Sequence, residues 1–451
     1  MIVVKFGGTS VGDAAAIERA ADIVAARLAR RPVVVVSALS GVTNALLAIA
    51  EQATRGQLIG AIRGVEALRE RHLEQADLLL RGPVGGEVAA ELSATFDELA
   101  SLAEALSVLG HLTPRSLDAI GAVGEQLSSA LVVPAFKARG IDAELVDARD
   151  VMITDEQFTA ATPQPERIAE ECRDRLLPLL REGRVPVMGG FIGSTVAGVT
   201  TTLGRGGSDY SASLVGAALQ AEAIEIWTDV DGMLTADPRV VEGARLIERI
   251  RFDEASELAA FGAKVLHPNT IAPAVRLGIP VYVYNSRKPE GTGTLITFEA
   301  PRRPVSAIAG RGGTTLVTVG SPRMVFAHGM LNEVLRALER HRTSVNVVAT
   351  SEVSVSMTVD DPQRLDALIV DLRQVGDVAV ARDRGILAIV GAGISDSTAA
   401  MARALSALDG LHLHMLSLSS TGINLTLVID GAEVPSAMRK LHAAFFPAGA
   451  A

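Results

Sequence analysis

Over roughly the first 300 residues, short β-branched apolar runs alternate with stretches of helical periodicity, and this alternation constrains the fold more than any other feature. The spacing predicts strands at Ile2 to Phe6, Val33 to Ser37, Val185 to Phe191, Ile224 to Thr228 and Pro280 to Tyr284. Helices are predicted at Asp13 to Arg30, Val42 to Thr54, Glu87 to Leu106, Gly124 to Arg139 and Asp209 to Ala221. Strands this uniformly apolar belong to a sheet covered on both faces, and intervening helices are what parallel neighbours require. The expected class is α/β with a mainly parallel open sheet.

The chain has 451 residues, which suggests two or three domains. Its 48% hydrophobic content with 3% aromatics gives a core of Ala, Val, Leu and Ile. The net charge of −10, without a basic block or aromatic-basic interleaving, argues against nucleic acid as a partner. The single cysteine, Cys172, lies in a helical pattern from Pro165 to Leu180; it allows no intrachain disulfide and fits a reducing compartment. No secretory signal pattern and no uninterrupted apolar run of membrane-spanning length occurs, so a soluble cytoplasmic protein without a membrane partner is expected.

Arg, Pro and Gly cluster at Ser286 to Gly293 and Pro301 to Gly313, where a domain boundary is placed. Beyond it a pattern repeats. Leu316 to Val319 reads as a strand, Gly329 to His341 as a helix, Ser344 to Thr350 and Val353 to Val359 as a strand pair, Pro362 to Arg373 as a helix and Val378 to Ala381 as a strand. It restarts with strand Ile386 to Val390, helix Ser395 to Leu408, strands Leu411 to Ser417 and Ile423 to Ile429, and helix Ala432 to Phe445. Two βαββα units in tandem predict two small α+β modules. The second lacks a closing strand, which Val305 to Ala309 is free to supply, making the first module an insertion in the second.

The first strand runs into Lys5-Phe6-Gly7-Gly8-Thr9-Ser10-Val11. Paired glycines let successive N–H groups line an anion-binding concavity, the following helix adds its positive end, and Lys5 adds a full charge. Alone, such a turn also closes an ordinary βα connection. Thr200 to Tyr210 (T-T-T-L-G-R-G-G-S-D-Y) surrounds Arg205, a bidentate donor for carboxylate or phosphate, with glycines; Asp209 follows at a helix start, as a cap or as a partner for a cation or Lys5. Trp227 to Gly232 and Thr235 to Arg239 leave the carboxyl end of a strand, where open α/β sheets bind ligands and also make ordinary turns. Ser37 to Asn44 leaves the second strand into a helix. Phe261 to Pro268 carries Lys264, either a nucleotide contact or a solvated lysine. No His or Cys pair has metal-ligand spacing, so no protein-only transition-metal site is expected.

In this order, K-F-G-G-T-S-V at Lys5 to Val11, T-T-T-L-G-R-G-G-S-D-Y at Thr200 to Tyr210, W-T-D-V-D-G at Trp227 to Gly232, T-A-D-P-R at Thr235 to Arg239, F-G-A-K-V-L-H-P at Phe261 to Pro268 and T-S-E-V-S-V at Thr350 to Val355 resemble aspartate kinases of the amino acid kinase family. The likeness spans nearly the whole chain, and the tandem units resemble ACT domains. It implies an αβα-sandwich catalytic domain at 1–299, ACT-like domains at 314–384 and 385–451 (with 305–309 as the candidate strand to complete the latter), and phosphorylation of the L-aspartate side chain by ATP with Mg²⁺. That reaction is the first step toward lysine, threonine and methionine.

By the same resemblance, Lys5, Arg205 and Asp209 are catalytic, with Lys5 neutralising the phosphates and Asp209 orienting Lys5 or the metal. Ser37, Thr43, Glu125, Arg205, Gly206, Gly207 and Ser208 hold the amino acid, Arg205 at its α-carboxylate and Glu125 at its α-ammonium. Lys5, Gly7, Gly8, Thr9, Ser10, Thr228, Asp229, Arg239, Lys264 and Val265 hold ATP. An effector cradle is implied at Met324, His328, Gly329, Ser344, Val345, Asn346, Ser351 and Glu352 for an amino acid, lysine or threonine, in a homodimer or higher oligomer. Two positions depart from relatives: Leu234 replaces an aromatic residue near the nucleotide, and Asn346 replaces an acid associated with lysine inhibition. Alternatives are another amino acid or carbamate kinase, disfavoured by the ACT-like tail, and an amino-acid-binding regulator with a decayed kinase site, disfavoured by intact Lys5, Arg205, Asp209 and Glu125.

Overall fold

The computed structural model describes residues 1–261, 270–320, 329–360 and 362–447, the side chains of 362 and 363 excepted. They form two compact units, residues 1–233 with 266–298, and 234–265 with 299–451. Segment 234–265, counted with the first 299 residues on sequence grounds, thus clusters with the C-terminal unit.

In the first unit the main sheet has the spatial order Ala143–Leu145, Val185–Gly189, Pro32–Val36, Ile2–Phe6, Ala223–Thr228, Val281–Asn285 and Thr294–Ile296. All neighbours are parallel except the last pair. The expected strands form within a residue or two, because buried parallel strands announce themselves as continuous β-branched runs. On one face Ile2, Val4, Phe6, Val34, Val36 and Trp227 pack with Ile17, Ala20, Ala21 and Val24 of the helix Ala14–Ala25. Helix Gly207–Ala218 lies on the other, close enough that a Cβ on Gly216 would sit 2.7 Å from Ile224 Cδ1 and 3.8 Å from Val3 Cγ2. Helices on both faces make the αβα sandwich. Lys5 shares the face of Val3, so its side chain points toward the helix that carries Asp209.

Helix Leu58–Leu79, not placed from sequence, packs with Pro83–Leu109 and with Pro114–Ala138, which begins well before the predicted Gly124. Pro114–Ala138 has the length and apolarity of a membrane span, yet 78% of its apolar window is buried within the fold. The predicted helix from Pro165 to Leu180 is interrupted by a π turn at Cys172–Leu176. A small separate sheet, Ile153–Thr154, Ile192–Thr195 and Thr200–Thr202, leads into the Arg205 loop.

The second unit has a six-stranded antiparallel sheet in the order Val345–Thr350, Ser354–Val359, Ala307–Gly320, Asp377–Val390, Asn424–Asp430 and Met415–Leu418. Its two central strands are 14 residues each. Runs that read separately in the sequence, Val305 to Ala309 with Leu316 to Val319, and Val378 to Ala381 with Ile386 to Val390, are thus continuous. Ala307, Ile308 and Ala309 lie opposite Val390, Ile389 and Ala388, while Thr315 to Gly320 pair with Ser354–Val359. The halves sit over separate cores, one around Ile308, Leu387, Ile389 and Leu427, the other around Val317, Val334, Met357 and Leu368.

Candidate active site

The first glycine turn is built by close approach of main chains. Gly7 N donates to Trp227 O at 2.9 Å, Ser37 N to Phe6 O at 3.1 Å, and a Cβ on Gly8 would lie 2.8 Å from the Ala38 carbonyl oxygen, so only glycine fits there. Thr9 is half-buried. The Ser10 hydroxyl, expected among the ATP contacts, is fully buried and donates to Trp227 O (3.1 Å) and Ser286 Oγ (2.8 Å), so it ties strand ends together. Asp13 caps the following helix by accepting from Ala16 N at 2.8 Å. Arg71 donates to Ser40 O (2.8 Å) and Gly12 O (3.0 Å), bracing this turn against the one after the second strand.

Lys5 is 7% exposed, and its Nζ lies 2.6 Å from Asp209 Oδ1 in the first turn of Gly207–Ala218. The pair is ionic, but its geometry leaves this buried carboxylate oxygen without an aligned hydrogen-bond donor. Asp209 approaches because glycines let its loop settle. A Cβ on Gly207 would lie 2.6 Å from the Phe191 ring, and one on Gly190 2.7 Å from Ser208 Cα. Phe191, read from sequence as a strand end, instead adopts a left-handed φ of 65°, with its N–H donating to Ser211 Oγ at 3.0 Å. Gly206, also left-handed at φ 72°, starts the helix. Arg205 is exposed and forms no ion pair among the described residues.

Glu125 is 3% exposed in Pro114–Ala138, at a point where a Cβ on Gly124 would lie 2.9 Å from Ala38 Cβ. Burial pushes its carboxyl up to about 8, against the opposing pull of the Ala38 backbone N–H, its own backbone and the Lys5 charge. Its Oε2 has no hydrogen-bond partner among the described residues, and neither does the Ser128 hydroxyl. A buried carboxylate oxygen with nothing to accept from is what an incoming ammonium needs. Ser37 and Thr43 are half-buried beside this helix's contact with the second strand. These residues bring the Lys5, Glu125 and Gly206 to Asp209 expectations together in one unit.

The segment expected to hold the nucleotide leaves the strand Ala223–Thr228. Thr228 ends its strand half-buried, Asp229 is exposed, and Ser286 N donates to Thr228 O at 2.8 Å. Asp231 is held by Asn285 Nδ2 (2.6 Å) and Lys288 Nζ (2.9 Å), which keep its carboxyl below the usual range. Trp227 is fully buried and stacks on Tyr284 at 4.8 Å under the Arg27 guanidinium, so it packs the core. Arg239 lies in the second unit, exposed, with its guanidinium forked onto Asp237 (2.6 and 3.0 Å). Leu234 is half-buried in the second unit, bridged to Leu246. Lys264, Val265, Met324 and His328 lie outside the described residues.

Of the effector residues, Gly329 begins the helix Met330–Arg340 at φ 100°. Ser344, Asn346, Ser351 and Glu352 are exposed and Val345 half-buried, along the edge strand Val345–Thr350 and the turn after it. Sequence reasoning missed Asp118, 1% exposed in the Glu125 helix. An acid two turns before Glu125 on the same helical face was the available signal.

The amino acid kinase family model matches residues 1–285, and an ACT domain model matches 387–445. The chain is 38% identical to the lysine-sensitive aspartokinase 3 of Escherichia coli, over 99% of both chains. It is 32% identical to the chloroplastic aspartokinase 1 of Arabidopsis thaliana, over 99% of this chain and 80% of that one. The crystal structure of E. coli aspartokinase III with aspartate and ADP, in the R state, superposes with a TM-score of 0.86 at 36% identity, over 99% of this chain and all of that one. The T-state structure of the same enzyme with lysine and aspartate gives 0.83 at 36% identity, over 99% of each. At this identity over nearly the full length of both proteins, the chain belongs to the amino acid kinase family, in its aspartokinase branch.

Proposed function

We infer that this chain transfers the γ-phosphoryl group of ATP to the side-chain carboxylate of L-aspartate, giving 4-phospho-L-aspartate and ADP under feedback control. The observation that carries this reading is the buried Lys5–Asp209 pair in one unit with Glu125, whose Oε2 lacks a partner. The complex of the E. coli relative with aspartate and ADP supports it. Aspartate's side chain, with a reference pKa of about 3.9, is ionised at neutral pH and needs no general base. The protein's work is to align it with the γ-phosphorus and to neutralise charge on the transferring oxygens. Lys5 and the Gly7 and Gly8 amides serve the phosphates. Arg205 grips the α-carboxylate, Glu125 the α-ammonium, with Ser37, Thr43 and Gly206 to Ser208 around them. Thr228 and Asp229 flank the nucleotide. Mg²⁺, when bound with the nucleotide, would supply further charge neutralisation, with Asp209, already beside Lys5, as the carboxylate nearest the phosphate turn.

The ACT-like modules are read as the effector platform, with the pairing of Ala307 to Ala309 supporting the first as an insertion in the second. They pair between copies in a homodimer or larger assembly, and the setting is cytoplasmic. Lysine is the proposed effector, since the E. coli relative is named lysine-sensitive and was crystallised with lysine. Asn346, exposed on the edge strand, offers an ammonium only a neutral amide. Asn346→Asp is therefore expected to lower the lysine concentration for half-inhibition by roughly tenfold, as a charged partner replaces a neutral one. Inhibition curves for the two proteins, with threonine alongside, check this.

ADP release measured over a panel of amino acids tests the reaction itself. Turnover with aspartate well above glutamate is expected, and a preference for any other acceptor contradicts the assignment.

A further inference from the structure

We propose that Asp118 is a positioning residue that sets the span between the two ends of the amino-acid clamp, Glu125 and Arg205. The proposal rests on the reading that these two residues take the substrate's ammonium and carboxylate.

Asp118 and Glu125 are seven residues apart in the helix Pro114–Ala138, two turns along one face. The Asp118 carboxylate is almost completely buried and reaches off the helix to two other segments. Oδ1 accepts from Thr202 Oγ1 (2.6 Å) and Thr159 N (3.0 Å); Oδ2 accepts from Thr159 N (2.9 Å) and Thr202 N (3.1 Å). No lysine or arginine forms an ion pair with it among the described residues. A buried charge met only by main-chain and hydroxyl donors is held by aligned, charge-assisted hydrogen bonds, which fix distance and direction more tightly than a flexible ion pair.

Both held segments govern Arg205. Thr202 ends the strand Thr200–Thr202, three residues before Arg205. Its carbonyl accepts from Ala161 N at 2.9 Å, joining it to the other held segment. Thr159 has a left-handed φ of 72°, strained for a β-branched residue, with its N–H committed to Asp118. Its carbonyl oxygen lies 3.2 Å from where a Cβ on Gly204 would stand, and Gly204 is itself left-handed at φ 73°. The chain therefore enters the Arg205 turn through a gap fixed on one side by Thr202 and on the other by Thr159, and both are pinned by one carboxylate. Between Thr202 and Gly204, Leu203 is buried and donates its N–H to Phe191 O at 2.9 Å; beyond it Arg205 is flanked only by glycines. Asp118 thus connects the helix that presents Glu125 to the strand leading into Arg205, without touching the substrate. None of the four Asp118 hydrogen bonds goes to the phosphate turn at Lys5 to Gly8.

The test is steady-state ADP release by the full chain, varying aspartate and ATP separately. Asp118→Asn turns one acceptor oxygen into a donor facing N–H groups, and KM for aspartate is expected to rise roughly tenfold with KM for ATP within about twofold. Thr202→Val, which removes only the hydroxyl contact, is expected to raise KM for aspartate by a smaller factor, and Thr202→Ser to restore it. The threonine variants decide the matter if Asp118→Asn does not fold. Arg205→Ala is measured in parallel. If it raises KM for aspartate while the Asp118 and Thr202 variants leave that KM unchanged, or shift both KM values together, the positioning role is overturned and the clamp stands. If Arg205→Ala leaves KM for aspartate unchanged, the clamp reading falls, and the proposal with it.

Discussion

Lys5→Met lowers kcat by about a thousandfold, with a smaller change in KM for aspartate, while the protein remains folded. The size follows from where the charge sits. The Lys5 ammonium is buried at the end of a central strand, so its interaction with the transferring oxygens is little weakened by water. A preorganised charge or donor lost from such a position typically costs two to three powers of ten in turnover. Methionine fills nearly the same volume, so the packing against Gly207–Ala218 is preserved. What changes is Asp209, which loses the cation 2.6 Å away. Its side chain is 16% exposed, so water relieves part of that loss and a moderate fall in Tm is expected, not unfolding. Thermal denaturation of the variant separates the two effects. A variant that keeps more than about a tenth of wild-type kcat would remove Lys5 from the phosphoryl site.

Glu125 gives the second large effect, and its sign can be worked out. Burial pushes the carboxyl up to about 8, so in the free protein near pH 7 it is mostly protonated. The α-ammonium of aspartate requires the ionised form, so binding must expel a proton at neutral pH. Below about pH 7, kcat/KM for aspartate is expected to fall close to tenfold per unit, and above about pH 8 to level off. In the complex the ammonium holds Glu125 ionised, so kcat responds less. Glu125→Gln should raise KM for aspartate by roughly 10- to 100-fold and abolish this pH dependence. The same shift acts on stability. Between the ordinary carboxyl value of 4.5 and about 8, the folded protein holds a proton that the unfolded chain has released, so the unfolding free energy falls as pH rises through that window. Glu125→Gln should flatten that slope. A kcat/KM for aspartate that is constant from pH 6 to 8 would contradict the assignment.

The catalytic unit was legible because its information is local. Strands such as Ile2–Phe6 and Pro32–Val36 are unbroken β-branched runs, and Gly8 and Gly207 stand where another backbone or ring leaves no space for a Cβ. The C-terminal sheet was less legible because continuity of a strand depends on its neighbours. Arg382 to Gly385 separates two expected strands, yet the strand Asp377–Val390 passes through it, with Asp383 at φ 56° and register shifts in its pairing. Gly385 is present there because a Cβ would lie 2.2 Å from Val434 Cγ2, a contact 49 residues away in sequence. Asp118 escaped for a related reason. It lies ahead of the helix expected from Gly124, and its burial depends on Thr159 and Thr202, which are distant in sequence.

The central claim is that phosphate goes to the side-chain carboxylate of aspartate, and the acyl phosphate so formed can be captured directly. Incubation with ATP, Mg²⁺, L-aspartate and hydroxylamine should yield the aspartyl β-hydroxamate in step with ADP, and Lys5→Met should lose both signals together. ADP release without hydroxamate, or hydroxamate formation that survives in Lys5→Met, would contradict it.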